Sequence, residues 1–143
     1  MTELTLAKAQ TIISAALAHA REKSFAPMAV VVLDARGVLK AYAAEDGTAL
    51  RRADIAIGKA HGALSMGVGS RTLGVRAAER PHFIAAVTHA VGGSLVPVPG
   101  GVLIRGSDKS IIGAVGVTGD TSDNDEACGL AGLAAAGLPA DPS

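Results

Sequence analysis

The sequence predicts an α+β fold in which a central antiparallel β-sheet is flanked by α-helices. Three observations carry that expectation. Periodic segments run in the order helix, two strands, helices, two strands, helix, so strands arrive in pairs instead of alternating singly with helices. The first pair is joined by Asp34-Ala35-Arg36-Gly37, a short turn ending in glycine, as antiparallel neighbours require. The 143 residues are 49% hydrophobic and contain neither an internal repeat nor a low-complexity linker, so residues 1–143 form one domain with a full core.

Each element has its own signal. From Leu4 to Arg21, Leu6, Ala9, Ile13, Ala16, Leu17 and Ala20 fall on one helical face, with Thr5 placed to cap the start. Met28 to Leu33 is a short, β-branched apolar run after Pro27, a buried strand, and Val38 to Ala44 is its partner. Asp46-Gly47 breaks the pattern. Arg51 to Val68 reads as a helix whose core, Ile55 to Val68, is apolar nearly all round, so contacts should bury most of its sides. Gly58 and Gly62, one turn apart, would let another helix come very close. Each costs about 1 kcal/mol of helix stability relative to alanine, so close packing must compensate.

Ser70 to Ala78 suggests a short helical turn. Pro81, placed where proline starts helices, opens a helix to Ala90 that Gly92-Gly93 ends. Val96-Pro97-Val98-Pro99 is extended and stiff. Gly101 to Arg105 and Ser110 to Val117 are strands joined by a turn at Gly106 to Lys109. Ser122 to Ala136 is the last helix. Glycines recur in these later strands, so something must approach the backbone closely there, and a small ligand is the expectation.

Trp is absent, and Phe25, Phe83 and Tyr42 are the whole aromatic complement. A core of small residues buries little area per side chain, so burial between subunits, hence a homo-oligomer, is expected. Thirteen bases balance thirteen acids, but unevenly along the chain. Residues 51–80 hold six bases against Asp54 and Glu79, whereas residues from Gly119 onward hold five acids and no base. With neither a net basic footprint nor aromatic platforms, nucleic acid is not the partner. The basic middle suits a small anion such as a carboxylate. One cysteine, Cys128, excludes an internal disulfide and reads as an apolar filler. The opening MTELTLAKAQ lacks a secretory pattern and no charge-free run reaches transmembrane length, so a cytoplasmic location without membrane contact is expected.

Candidate chemistry gathers on two helices. Lys59 lies among apolar neighbours and must snorkel, pair with an acid of the last helix, or carry a lowered pKa. Glu126 aligns with Leu130 and Leu133, near the inward edge of the last helix. Asp120, Asp123 and Asp125 suit a helix start, where acids are favoured by about 0.3–1 kcal/mol, and Ser122 with Asp125 resembles a capping box. His61 lies two residues from Lys59, roughly across the helix. His19, His82 and His89 read as surface residues. No His-x-x-x-His or Cys/His cluster exists, so no metal site is expected. Phosphate-loop, dinucleotide and nucleophile-elbow motifs are absent. The amino terminus is Met-Thr, so no terminal proline could act as a base. A base and an acid on different helices, Lys59 and Glu126, are expected to meet beside glycine-thinned sheet and frame a cavity.

These segments resemble the GlcG/HbpS family, the haem-degrading domain family. The matching stretches are LTLAKAQTII, AVVVLDARGVLKAY, DIAIGKAHGAL, RPHF, GGSLVPVPGGVLI and IIGAVGVTGDTSDNDEA, together spanning about Leu4 to Leu138. The resemblance implies a profilin-like fold and a homo-oligomer, from tetramer to octamer. It implies haem or a related tetrapyrrole as ligand, in a haem-degrading or redox-sensing role. It also admits an enzyme acting on a small carboxylated metabolite, as in glycolate or aromatic-compound catabolism. Positions fitting the family pattern are Asp46, Gly47, Lys59, Gly100, Gly101, Gly116, Asp125 and Glu126. Haem needs an axial ligand and cations for its propionates; His61 is the candidate ligand, with Arg71 or Arg76 for the propionates. The enzyme reading uses Lys59, His61 and Glu126 as acid/base groups and Arg71 as anion clamp, with Asp46, Gly100, Gly101 and Asp123 around the ligand.

Overall fold

The computed structural model describes residues 3–143; Met1 and Thr2, on which the absence of a terminal proline rests, lie outside it. Helix α1 (Leu6–Glu22) starts on the expected cap, with Thr5 Oγ1 accepting from the Lys8 amide at 3.1 Å. Its buried face is Ala9, Ile12, Ile13, Ala16 and Ala20, which adds Ile12 to the expected stripe and leaves Leu6 exposed. Strands β1 (Ala29–Asp34) and β2 (Leu39–Ala44) form the predicted hairpin. Asp34 closes its turn: its carboxylate accepts from the Arg36 and Val38 amides, and Gly37 takes φ +80.

Helices α2 (Arg52–Met66), α3 (Ser70–Glu79) and α4 (Pro81–Ala90) follow. The short turn expected at Ser70 is thus a full ten-residue helix. Strands β3 (Gly101–Arg105) and β4 (Ile111–Thr118) come next, then helix α5 (Ser122–Ala135). A two-residue strand β5 (Ala140–Asp141), not anticipated, pairs with β3, and Arg105 holds Asp141 at 2.9 Å. Strand order is β2-β1-β4-β3-β5, with every pair antiparallel.

The sheet divides two cores. Val30, Val32, Val102, Ile104, Val115 and Val117 point to α1 and α5. Val31, Leu33, Leu103 and Ala114 point to Ala56, Ala60 and Ala63 of α2. A smaller cluster of Leu73, Ile84 and Leu95 joins α3 and α4 to the loop before β3.

The sheet glycines serve this packing. Gly101 and Gly116 face each other across β3 and β4. A Cβ on Gly116 would lie 2.0 Å from the Ala56 carbonyl oxygen, and one on Gly101 would lie 2.3 Å from that of Lys59. What approaches the thinned sheet is therefore the backbone of α2, where a ligand was expected. Gly132 does the same between α5 and the Ile12 carbonyl of α1. Gly58 and Gly62, expected to admit a helix, instead admit the loop at Leu95 and Val96. Gly116→Ala is expected to lower stability by at least about 1–3 kcal/mol through overpacking; urea unfolding should show a reduced midpoint with unchanged m-value.

Candidate functional site

Charged groups converge where the C-terminal end of β4 meets α2, α3 and α5. Lys59 is carried to the sheet by the inward face of α2, and it is only 2% exposed. Its amine donates to Asp125 Oδ2 at 2.9 Å and to the Val117 carbonyl at 2.9 Å. Gly100 (φ +127) lies against this amine, since a Cβ there would come within 2.8 Å of Nζ. Asp125, also 2% exposed, accepts from the Asp120 amide at 2.9 Å with its other oxygen. The buried lysine thus takes its carboxylate from the last helix as expected, but from Asp125 and not from Glu126.

Burial pushes the Lys59 amine below its ordinary pKa, and the charge of Asp125 opposes that shift. Burial likewise pushes Asp125 upward, against the pull of Lys59 and of the Asp120 and Gly119 amides. Both groups are desolvated, and each offsets part of the shift that burial imposes on the other.

Glu126 binds a different cation. Arg71, in the first turn of α3, donates from Nε to both Glu126 oxygens, at 3.2 and 3.1 Å, and from a terminal nitrogen at 3.1 Å. The same guanidinium pairs with the exposed Asp123. Hydrogen bonds donated to Glu126 and Asp123 hold Arg71 above its ordinary pKa. The basic middle and acidic end of the sequence therefore answer each other within the fold: Lys59 to Asp125, Arg71 to Glu126 and Asp123. Ser70 adds a neutral link, its hydroxyl accepting from the buried Gly101 amide at 2.6 Å. The helix start is capped by Thr121, whose hydroxyl accepts from the Asn124 amide, and the Ser122–Asp125 capping box does not form.

His61 stands apart from this hub. Its Nδ1 lies 2.8 Å from the Ser94 carbonyl. A carbonyl only accepts, so Nδ1 carries a proton, and in the neutral ring Nε2 is the nitrogen with the lone pair. The ring edge faces the β1–β2 turn, where a Cβ on Gly37 would meet Cδ2 at 3.4 Å. Leu39 (52% exposed) and Tyr42 (44%) pair with Leu33 and Val31, so they lie on the sheet face that α2 partly covers. Ile57 and Leu64, one turn either side of His61, are partly buried on the same helix.

Asp46 is exposed after β2, beside a cleft of about 240 Å³ lined with Arg21, Pro27 and Glu45. Two further clefts, of about 520 and 360 Å³, flank α1. None of the three is lined by Lys59, His61, Arg71 or Glu126. Of the expected site residues, the fold joins Lys59 to Gly100 and, through helix backbone, to Gly101; it joins Arg71 to Glu126 and Asp123; His61 and Asp46 lie elsewhere. Asp125, read from sequence as a helix-start acid, is the buried partner; its signal was its place two residues beyond Asp123 on the turn facing the sheet. Among the described residues, no group of three or more His, Cys, Asp or Glu side chains could hold a metal ion. Cys128 is buried, and burial pushes its thiol up to about 11, which suits a packing role.

A five-stranded antiparallel sheet between helical layers, pinned by a buried ion pair, defines a single-sheet α+β protein. The chain belongs to the HbpS-like family, described as "Haem degrading protein HbpS-like", which it matches over residues 4–134. No curated protein matches it. Among solved structures it is similar to a PduOC–haem complex, at 21% identity and TM-score 0.85, covering 96% of this chain and 98% of that one. It is similar to a double mutant of Streptomyces reticuli HbpS, at 27% identity and TM-score 0.79, covering 94% of this chain and 87% of that one. It is also similar to the Klebsiella pneumoniae protein ORFY, at 23% identity and TM-score 0.84, covering 96% and 93%. Among the described residues, no helix is long and apolar enough to cross a membrane.

Removing one partner of the hub should be far worse than removing both. Asp125→Ala is expected to cost about 3–5 kcal/mol, because it leaves a buried ammonium alone. The double variant Lys59→Met/Asp125→Leu should recover most of that loss. Denaturant unfolding of the three proteins measures the difference.

Proposed function

We propose that this protein binds haem or a related tetrapyrrole, with His61 Nε2 as the iron ligand. The observation that carries the reading is the imidazole's orientation. A backbone carbonyl holds Nδ1–H, which in the neutral ring directs the lone pair to Nε2, the arrangement found in metal-ligating histidines. Family membership and a relative solved as a haem complex supply the ligand class. Apolar side chains suit a macrocycle: Ile57 and Leu64 on α2, with Leu39 and Tyr42 on the sheet face that α2 partly covers. Bound haem would supply a redox-active iron. Arg71 is committed to Glu126 and Asp123, so it is a poor propionate partner. Arg76 forms no ion pair among the described residues and is the better candidate.

The alternative, acid/base catalysis on a small carboxylate, needs Lys59, His61 and Glu126 to act together. Their polar partners are separate: Asp125 and Val117 for the first, Ser94 for the second, Arg71 for the third. Binding is therefore the favoured reading, and haem degradation or redox sensing would follow from it.

Self-association is part of the same proposal. Helix α4 buries only Ile84 and exposes Phe83, while Leu6, Val38, Leu39 and Tyr42 crowd the β2 edge. Such surfaces suit contacts between copies in an assembly of four to eight chains. Size-exclusion chromatography with light scattering should give that range; a monomer at micromolar concentration would refute it.

Titration of the protein with hemin should sharpen and shift the Soret band to a one-per-chain endpoint. His61→Ala should abolish the sharpened band while circular dichroism stays unchanged. An identical spectrum in His61→Ala would remove His61 as ligand, and a weak, unsaturating change in the wild type would remove the tetrapyrrole reading.

A further inference from the structure

We infer that Gly58 and Gly62 are positioning residues for His61, acting through the strap formed by residues 94–96. Both glycines lie on the side of α2 turned away from the sheet, and both are buried. The strap fills the trough they leave. The Val96 amide donates to the Gly58 carbonyl at 3.1 Å, which anchors the strap on the helix. A methyl on Gly58 would meet Val96 Cγ2 at 2.6 Å. A methyl on Gly62 would meet Leu95 Cγ at 2.9 Å and, more tellingly, Leu95 Cα at 3.3 Å. That second contact is backbone, so relieving it moves the strap itself.

The strap cannot simply lift. Leu95 is buried with Leu73 and Ile84, which hold it from the α3–α4 side. Behind it, the Pro97 carbonyl rests on Gly74, where a Cβ would come within 2.9 Å. Ser94, directly before Leu95, presents its carbonyl to His61 Nδ1 at 2.8 Å. The other polar neighbour of Nδ1, the Ser65 hydroxyl, is 3.5 Å away and too distant to set the tautomer. Strap height therefore decides which ring nitrogen bears the proton. With glycine at both positions, Nδ1 is protonated and Nε2 is the donor atom. A methyl at 62 pushes the Ser94 carbonyl off the ring and removes the reason for that choice.

The consequence for iron rests on the tetrapyrrole reading, but the tautomer belongs to the ligand-free chain and is tested there. Nitrogen NMR of uniformly labelled full-length protein, with His61→Ala to assign the ring, should show the neutral wild-type His61 ring in the Nδ1–H form. Gly62→Ala should move the ring toward the Nε2–H form that free neutral imidazole prefers. Leu95→Ala alone should leave the tautomer in place, and Gly62→Ala/Leu95→Ala should keep the shifted form, since the contact with the Leu95 Cα remains. Circular dichroism reports whether each variant is folded. If Gly62→Ala does not fold, Gly58→Ala, whose methyl meets the Val96 side chain at 2.6 Å, tests the strap from its Val96 end. Wild-type His61 in the Nε2–H form, or a folded glycine variant with the wild-type tautomer, overturns the inference. Hemin affinity of the folded Gly62→Ala protein should fall by about 10–100-fold, the range for lost outer-shell support of a ligand. A wild-type chain that takes up no hemin would sink the tetrapyrrole reading while leaving the tautomer result standing.

Discussion

Everything around the sheet's β4 end is arranged about one desolvated ion pair. Lys59 and Asp125 sit on different helices, on opposite layers of the molecule, and meet past the end of β4. Two charges this deep are tolerable only when each remaining lone pair and proton is answered. The Val117 carbonyl takes a second proton of Lys59 and the Asp120 amide donates to the other oxygen of Asp125, and both belong to the end of β4 or the turn after it. The pair thus fixes three things at once: the depth of α2, the entry of α5, and the path of the chain between β4 and α5. Arg71 and Glu126 extend the same hub outward and tie α3 to it.

That arrangement depends on the sheet being thin. With carbonyls of Ala56 and Lys59 lying directly over Gly116 and Gly101, α2 sits closer than side chains would allow. Only from that height does a lysine from the sheet-facing side reach the Val117 carbonyl. The aromatic-poor composition follows from the same constraint, because alanine and glycine faces can close to backbone distance while larger side chains would hold the layers apart.

Much of the architecture could be read from residue order. Paired strands, the Asp34–Gly37 turn, Pro81 at a helix start and the apolar stripe of α1 all carry local signals, and all reflect short-range rules of backbone and burial. Pairing partners were less legible. The buried lysine announced the need for a carboxylate, but Asp125 and Glu126 are adjacent, and a single step of 100° around α5 decides which one faces inward. Glycines in strands announced a close approach without naming what approaches, since helix backbone and ligand leave the same requirement. His61 was visible as the histidine across the helix from Lys59, whereas its tautomer hangs on the Ser94 carbonyl, 33 positions away. Strand β5 had no periodicity to betray it, because two residues show none.

The sheet order has a bearing on how this molecule comes into being. The central ladder joins Val31 to Gly116, so its two halves are 116 − 31 = 85 positions apart. Every residue up to Gly116 must have left the ribosome before that ladder can close. Until then the β1–β2 hairpin has no central partner, and its apolar run from Ala29 to Leu33 has nowhere permanent to go. Nascent chains of this kind are expected to be clients of chaperones during synthesis, and to complete folding late and in one cooperative step.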